Sequence, residues 1–195
     1  MFGKSIKLFR LFGFRVSADL SFLIIVGLVI WSLYALFSQW YPELGAGWWL
    51  LMGFGGAVGL FISITVHEFS HSLVARRFGL PMRGITLFVF GGVAEMTEEP
   101  PSPKAEIVMA LAGPAASVLV AVVFWLIWWG GLQAGWSEAT VAVFRWIATI
   151  NTALVVFNMI PGFPLDGGRV LRGILWSVKH DFRSATHWAS RMGVG

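Results

Sequence analysis

Two histidines and a glutamate fall within five consecutive residues, His67-Glu68-Phe69-Ser70-His71, in an otherwise apolar part of the chain. The run before them, "GWWLLMGFGGAVGLFISI", carries no charge at all. Ionisable groups inside a membrane span are costly and tend to be kept where they do chemistry. On a helix, side chains four residues apart project from one face about a turn apart, so His67 and His71 can reach one metal ion. Glu68, beside the first imidazole, can face a metal-bound water without binding the metal itself. Zinc in such a place lowers the pKa of water towards ~7, and the glutamate takes its proton. Short patterns of this kind also arise by chance. A purely structural Glu68 would need a buried cationic partner, however, and the first two spans offer no obvious one.

Two imidazoles do not complete a catalytic zinc site, which usually has three protein ligands and a water. The chain has no cysteine, which excludes thiolate ligands and disulfides. His180 and His187 lie in a basic C-terminal stretch that reads as solvated surface. Asp166 in "NMIPGFPLDGGR" is the better third ligand. His71 stands about five residues before the basic end of its span, roughly 7–8 Å of helix rise, and Asp166 stands where the last span breaks on the same side. On local residues alone Asp166 fits a turn or N-cap before a helix starting near Gly168 equally well. The matching depth favours the ligand.

The elements that must position these groups are mostly spans. Of the 195 residues, 57% are hydrophobic and 12% charged, about half the charge of a soluble domain (roughly 25%). Several apolar runs reach the ~20 residues that cross a bilayer core, so the expected fold is an all-α polytopic membrane protein. A first span covers about Ala18 to Phe37, and a second runs from near Trp48 through both histidines to about Phe78. A third covers about Ile107 to Trp129, with the small residues of "AGPAAS" available for close helix packing, and a fourth about Val141 to Met159. Between the second and third, Ile85 to Met96 is too short to span. Its β-branched and aromatic residues around Gly91 and Gly92 predict a small extended or hairpin element, lying against protein or lining a wet cavity. The remainder is amphipathic and contains no further complete span.

Basic residues set the expected orientation. Lys4, Lys7, Arg10 and Arg15 precede the first span; Arg76, Arg77, Arg83 and Lys104 lie between the second and third; Arg169, Arg172, Lys179, Arg183 and Arg191 follow the fourth. The opposite loops carry none, with only Arg145 near that side. The positive-inside rule then makes the N-terminus and the metal-bearing end cytoplasmic, in a multi-pass protein of the plasma membrane. The N-terminal stretch reads as a cytoplasmic, interfacial segment and not as a removed signal peptide. The net charge of +4 belongs to span flanks, where it sets topology or meets anionic lipid; no nucleic acid is implied.

The blocks "VHEFSHSLVARRFG", "GGVAEM", "LAGPAAS" and "NMIPGFPLDGGRVLR", in this order from about Val66 to Leu175, resemble the site-2 protease family of intramembrane zinc metalloproteases. The likeness is to the prokaryotic branch that often carries CBS domains. It implies one zinc ion held by His67, His71 and Asp166, with Glu68 as catalytic base. It also implies substrate or oxyanion contacts for Asn158, and an extended substrate pairing with the 85–96 element. The implied reaction is hydrolysis of peptide bonds within or near a transmembrane segment of a substrate protein. "GFPLDG" replaces the more usual Asn-Pro before the aspartate, with Pro164 two residues ahead of Asp166. Relatives of the branch usually continue into two more spans, so residues 1–195 are expected to be a single membrane core, with "SATHWASRMGVG" opening a further span.

Two other functions use the same residues. A metal transporter would pass ions through the His/Asp cluster, but it needs polar routes on both sides and the outer halves of the spans are almost wholly apolar. A degenerate, non-catalytic scaffold would not need an intact ligand set and base.

Overall fold

The computed structural model describes residues 5–11, 14–88, 91–96 and 99–192. Strands β1 (Ser5–Leu11) and β2 (Phe14–Asp19) lead into helix α1 (Leu20–Trp40). A short 3-10 turn at Pro42–Leu44 precedes α2 (Gly45–Arg77). Strands β3 (Met82–Phe88) and β4 (Gly91–Met96) then connect to α3 (Pro103–Gln133), α4 (Glu138–Asn158), α5 (Asp166–Lys179) and α6 (Phe182–Met192). Among the described residues, four helices are long and apolar enough to cross a membrane: Phe22–Trp40, Pro42–Arg77, Pro103–Gln133 and Glu138–Asn158. The expected four spans are present. Positions 1–4 (with Lys4), 12–13, 89–90, 97–98 and 193–195, which the sequence reading touched, lie outside the described residues.

Local chemistry explains where the helices begin and end. Ser102 caps α3 by accepting the Ala105 N–H at 3.2 Å, and Pro103 occupies the first turn, where its missing N–H costs nothing. The third span therefore starts four residues before the expected Ile107, within what reads as a polar connector. Ser137 caps α4 through the Thr140 N–H. Gly79, at φ +81°, closes the end of α2 in a conformation that side-chain-bearing residues rarely adopt. At 33 residues α2 is about 50 Å long, well beyond a bilayer core.

The outward faces are apolar: Trp31 is 71% exposed and Leu119 66%, as suits a lipid solvent. The faces between helices are built from small residues, among them Gly53, Gly56 and Ala57 on α2, Ala110, Gly113 and Ser117 on α3, and Ala139, Ala142 and Ala148 on α4. Lipid tails are as apolar as leucine, so helices in a membrane associate through close van der Waals fit, which small residues permit. α2 packs against α1, α3 and α4, while α5 packs on α3 and α6.

The strands form one sheet in the order β1-β2-β3-β4. β3 and β4 are the expected hairpin, paired antiparallel from Phe88↔Gly91 outward. The N-terminal segment proves to be a second hairpin, whose β2 runs parallel to β3 with Arg15 opposite Gly84. Parallel neighbours need a long crossover, and α1 with α2 supplies it. The sheet thus sits at the end of the bundle where α1 and α3 begin and α2 and α4 finish. The C-terminal stretch that reads as amphipathic forms the two helices α5 and α6.

Between two apolar clusters the bundle holds a polar layer. Leu33, Phe37, Met52, Ala57, Ala139 and Ala142 close the end away from the sheet, and Ala75, Leu80, Ala105 and Met109 close the near end. Between them lie Ser63, His67, His71, Ser117, Asn151 and Asp166, all buried.

Candidate metal centre

His67 and His71 point from one face of α2, their rings edge to face with centroids 4.8 Å apart. Asp166 is the first residue of α5, and Leu165 occupies the cap position. The helix therefore starts two residues before the expected Gly168, and the Asp166 carboxylate is directed at the histidines. Asp166 Oδ2 lies 3.1 Å from His67 Nε2 and 3.2 Å from His71 Nε2, and the two Nε2 atoms are 3.1 Å apart.

The far sides of both rings are held by α3. His71 Nδ1 donates to the Met109 carbonyl at 2.7 Å, and His67 Nδ1 meets Ser117 Oγ at 3.0 Å. A carbonyl only accepts, so His71 Nδ1 carries a proton, and with a metal bound the neutral ring would turn its Nε2 lone pair inward. Pro114 lies nearby inside α3, where it can donate no helical hydrogen bond and crowds the carbonyl four residues back. Burial by itself would raise the Asp166 carboxyl, but hydrogen bonds to His67 and His71, with their charges, outweigh it and hold it at about 2. It is a carboxylate at any physiological pH.

This donor set fits a metal ion. Three electron-pair donors converge where either shared protons or a cation must sit. Ligand atoms ~2.1 Å from a tetrahedral centre stand roughly 3.4 Å apart, close to the three separations found here. Gly113 supplies the room: a Cβ there would stand 2.2 Å from His71 Nε2 and 2.6 Å from His67 Nε2.

Glu68 is half-buried beside the cluster, where its charge interacts with those of His71, His67 and Asp166, and with Arg169. Asn158 is half-buried and donates its amide N–H to Leu154 O at 3.0 Å, a partner in its own helix. It is not joined to the cluster in this arrangement.

Four groups at or beside the site escape the residue pattern. Ser117 and Gly113 lie in the "AGPAAS" region, which reads as helix packing, although they are four residues apart on one face. The Met109 contribution is a backbone carbonyl and has no signature. Glu106 resembles the end of a polar connector, yet it is fully buried and pairs with Arg169 and Arg172. Those two arginines read as span-flanking charges; they are the half-buried partners of a buried acid.

Together these features define a polytopic membrane helix bundle carrying a buried His-His-Asp cluster. Residues 55–134 and 130–195 match the model of peptidase family M50, and the chain belongs to that family. It is 38% identical over 191 residues to a protein of Mycobacterium tuberculosis provisionally named zinc metalloprotease Rip3, covering 97% of this chain and 48% of that one. A Synechocystis protein, also provisionally named a zinc metalloprotease, is 36% identical over 191 residues, covering 98% of this chain and 49% of the relative. The chain thus spans about half the length of these relatives. Among solved structures, the site-2 protease from Methanocaldococcus jannaschii matches with a TM-score of 0.66 and 27% identity, covering 97% of this chain and 80% of that one.

Proposed function

We propose that the protein is an intramembrane zinc metalloprotease that hydrolyses peptide bonds within or near transmembrane segments of substrate proteins, with one zinc held by His67, His71 and Asp166. The observation that carries this reading is the approach of three ligand atoms from α2 and α5 to within 4.8 Å of one another, with Glu68 alongside. Zinc, when bound, supplies Lewis-acid polarisation of the scissile carbonyl and makes water acidic enough to ionise near neutral pH. The chain's own groups do the rest. The Glu68 carboxylate takes the proton from water as its oxygen attacks the carbonyl carbon. It then passes that proton to the departing amide nitrogen as the C–N bond breaks, leaving a carboxylic acid and an amine, and transfer of the acid's proton to the amine gives the carboxylate and ammonium products. Rotation of Asn158 away from Leu154 O would offer its amide N–H to the oxygen that gains charge.

A substrate helix hides its peptide bonds, so it must unwind before cleavage. β4 is an edge strand, and its outer backbone groups can pair with an extended segment. The sheet lies at the end of α2 that carries His71, which by the distribution of basic residues is the cytoplasmic end. Transport of metal through the cluster has no support in the family relationship, and the apolar cluster around Phe37 and Met52 closes the far side. The test is zinc content and cleavage of a helical model substrate, for the parent and for Glu68→Gln. The variant should keep zinc and lose cleavage. Turnover by zinc-loaded Glu68→Gln would remove Glu68 as the base.

A further inference from the structure

Glu106 is a fully buried carboxylate that this mechanism does not use. Its Oε1 accepts from Arg169 Nε at 3.3 Å and from Arg172 Nη2 at 2.5 Å, while Glu106 Oε2, Arg169 Nη2 and Arg172 Nε find no partner among the described residues. The Arg172 guanidinium also lies over the rings of Phe163, 5.2 Å away in the α4–α5 loop, and Phe182, 4.9 Å away on α6. Withdrawing one charge wholly and two largely from water is a poor way to gain stability, since apolar side chains of similar volume often do as well or better. Direction is what the charges add.

The three candidate ligands come from two helices, α2 and α5, and these pack far more on α3 than on each other. α3 is their common frame. It orients His71 through Met109 O and His67 through Ser117, and its first turn grips α5 through Glu106. Arg169 lies one turn beyond Asp166 and so near its face of α5. Gly173 lets the next turn lie against α3, because a Cβ there would stand 2.6 Å from Ile107 Cγ1 and 3.2 Å from Pro103 O. That apolar contact sets the spacing of the two helices but leaves α5 free to roll or slide. The charged fork of Arg169 and Arg172 on one carboxylate does not.

We propose that Glu106 is a positioning residue for the metal centre: by holding Arg169 and Arg172 it fixes the rotation and height of α5 on α3, and so keeps Asp166 on His67 and His71. This rests on Asp166 being the third ligand. The experiment uses the full chain in detergent, with zinc affinity measured against a chromophoric chelator and the visible spectrum of the cobalt-loaded protein as a report of the ligand set. Glu106→Gln keeps the shape and removes the charge. Its zinc affinity should fall about tenfold or more, the scale seen when outer-shell partners are lost, and its cobalt spectrum should move towards that of Asp166→Asn. Glu106→Asp should recover part of both. Should Glu106→Gln fail to fold, Glu106→Asp and Arg172→Lys carry the same comparison, with smaller shifts in the same direction. A folded Glu106 variant with a lower melting temperature, but the parent's zinc affinity and cobalt spectrum, would reduce Glu106 to a structural role and overturn the proposal. If Asp166→Asn itself leaves the cobalt spectrum unchanged, the ligand reading is wrong and this inference falls with it.

Discussion

His71 Nδ1 and the Met109 carbonyl oxygen stand 2.7 Å apart across the α2–α3 interface. This one hydrogen bond sets which nitrogen of His71 keeps its proton, and thereby which faces Asp166. A metal-ligating histidine commonly donates its other N–H to a carbonyl or carboxylate, which fixes ring orientation and tautomer. Here the acceptor belongs to the backbone, so no substitution at Met109 removes it directly. The equivalent contact on His67 goes through a side chain, Ser117 Oγ, and can be removed.

Ser117→Ala should leave the fold intact and weaken zinc binding. Ser117 is buried in α3, and alanine fits its space while removing the hydroxyl that steadies His67 Nδ1. Loss of such a partner typically lowers metal affinity or activity about 10–100-fold. Zinc titration of the variant checks this, and an unchanged affinity would mean that His67 is oriented by packing alone.

Asp166→Ala should lower zinc affinity and cleavage together. It removes one of three anchors and lets a water take its place. Asp166 does not occupy the cap position of α5, which falls to Leu165 with no side-chain cap bond, so the helix itself should survive. Circular dichroism at parent level with full zinc retention at low free zinc would show that another group completes the site.

The spans and most of the candidate site were legible because the bilayer writes strong signals. Long apolar runs locate α1 to α4, and His67, Glu68 and His71 stand out as ionisable groups on an apolar background, while Asp166 is picked out by its matching depth. The N-terminal hairpin was not legible, because β2 finds its parallel partner β3 some seventy residues away, Arg15 opposite Gly84. No local pattern reports such a pairing. Glu106 was hidden for a different reason. It follows a polar connector and lies in the first turn of α3, where an acid is ordinary; only the packing of α5 buries it. The Ser102-Pro103 pair, a good helix start, was the available signal that α3 begins before Ile107.

Asn151 and Ser63 offer a measure of what a polar contact contributes inside this bundle. Asn151 Nδ2 donates to Ser63 Oγ at 2.8 Å between α4 and α2, and also to Ile147 O at 2.9 Å in its own helix. Each side chain keeps a local backbone acceptor when the other is removed, since Ser63 Oγ also donates to Gly59 O. The pair should therefore show a coupling of only about 0.6 kcal/mol, the average for interhelical hydrogen bonds in a membrane. A double-mutant cycle with Ser63→Ala and Asn151→Ala, read by unfolding in mixed micelles, checks it. A coupling of several kcal/mol would show that the two form part of a larger buried network.

Gly113→Ala sets two effects against each other. Replacing glycine by alanine in a helix interior ordinarily stabilises by about 0.5–1 kcal/mol. At this position the new methyl would stand 2.2 Å from His71 Nε2 and 2.6 Å from His67 Nε2, in the space where the two lone pairs converge. The imidazoles must turn away, losing the hydrogen bonds to Met109 and Ser117 and the common approach to Asp166. Without metal the variant should melt within a few degrees of the parent, because the helical gain offsets part of the crowding. With zinc the two should part. A ligand that binds only the folded state raises its stability by RT ln(1 + [L]/Kd), about 2.7 kcal/mol at a hundred times Kd. The parent should show that rise in melting temperature and Gly113→Ala should not, and its peptide cleavage should be lost as well. A zinc-dependent rise of equal size in both proteins would place the metal elsewhere than beneath Gly113.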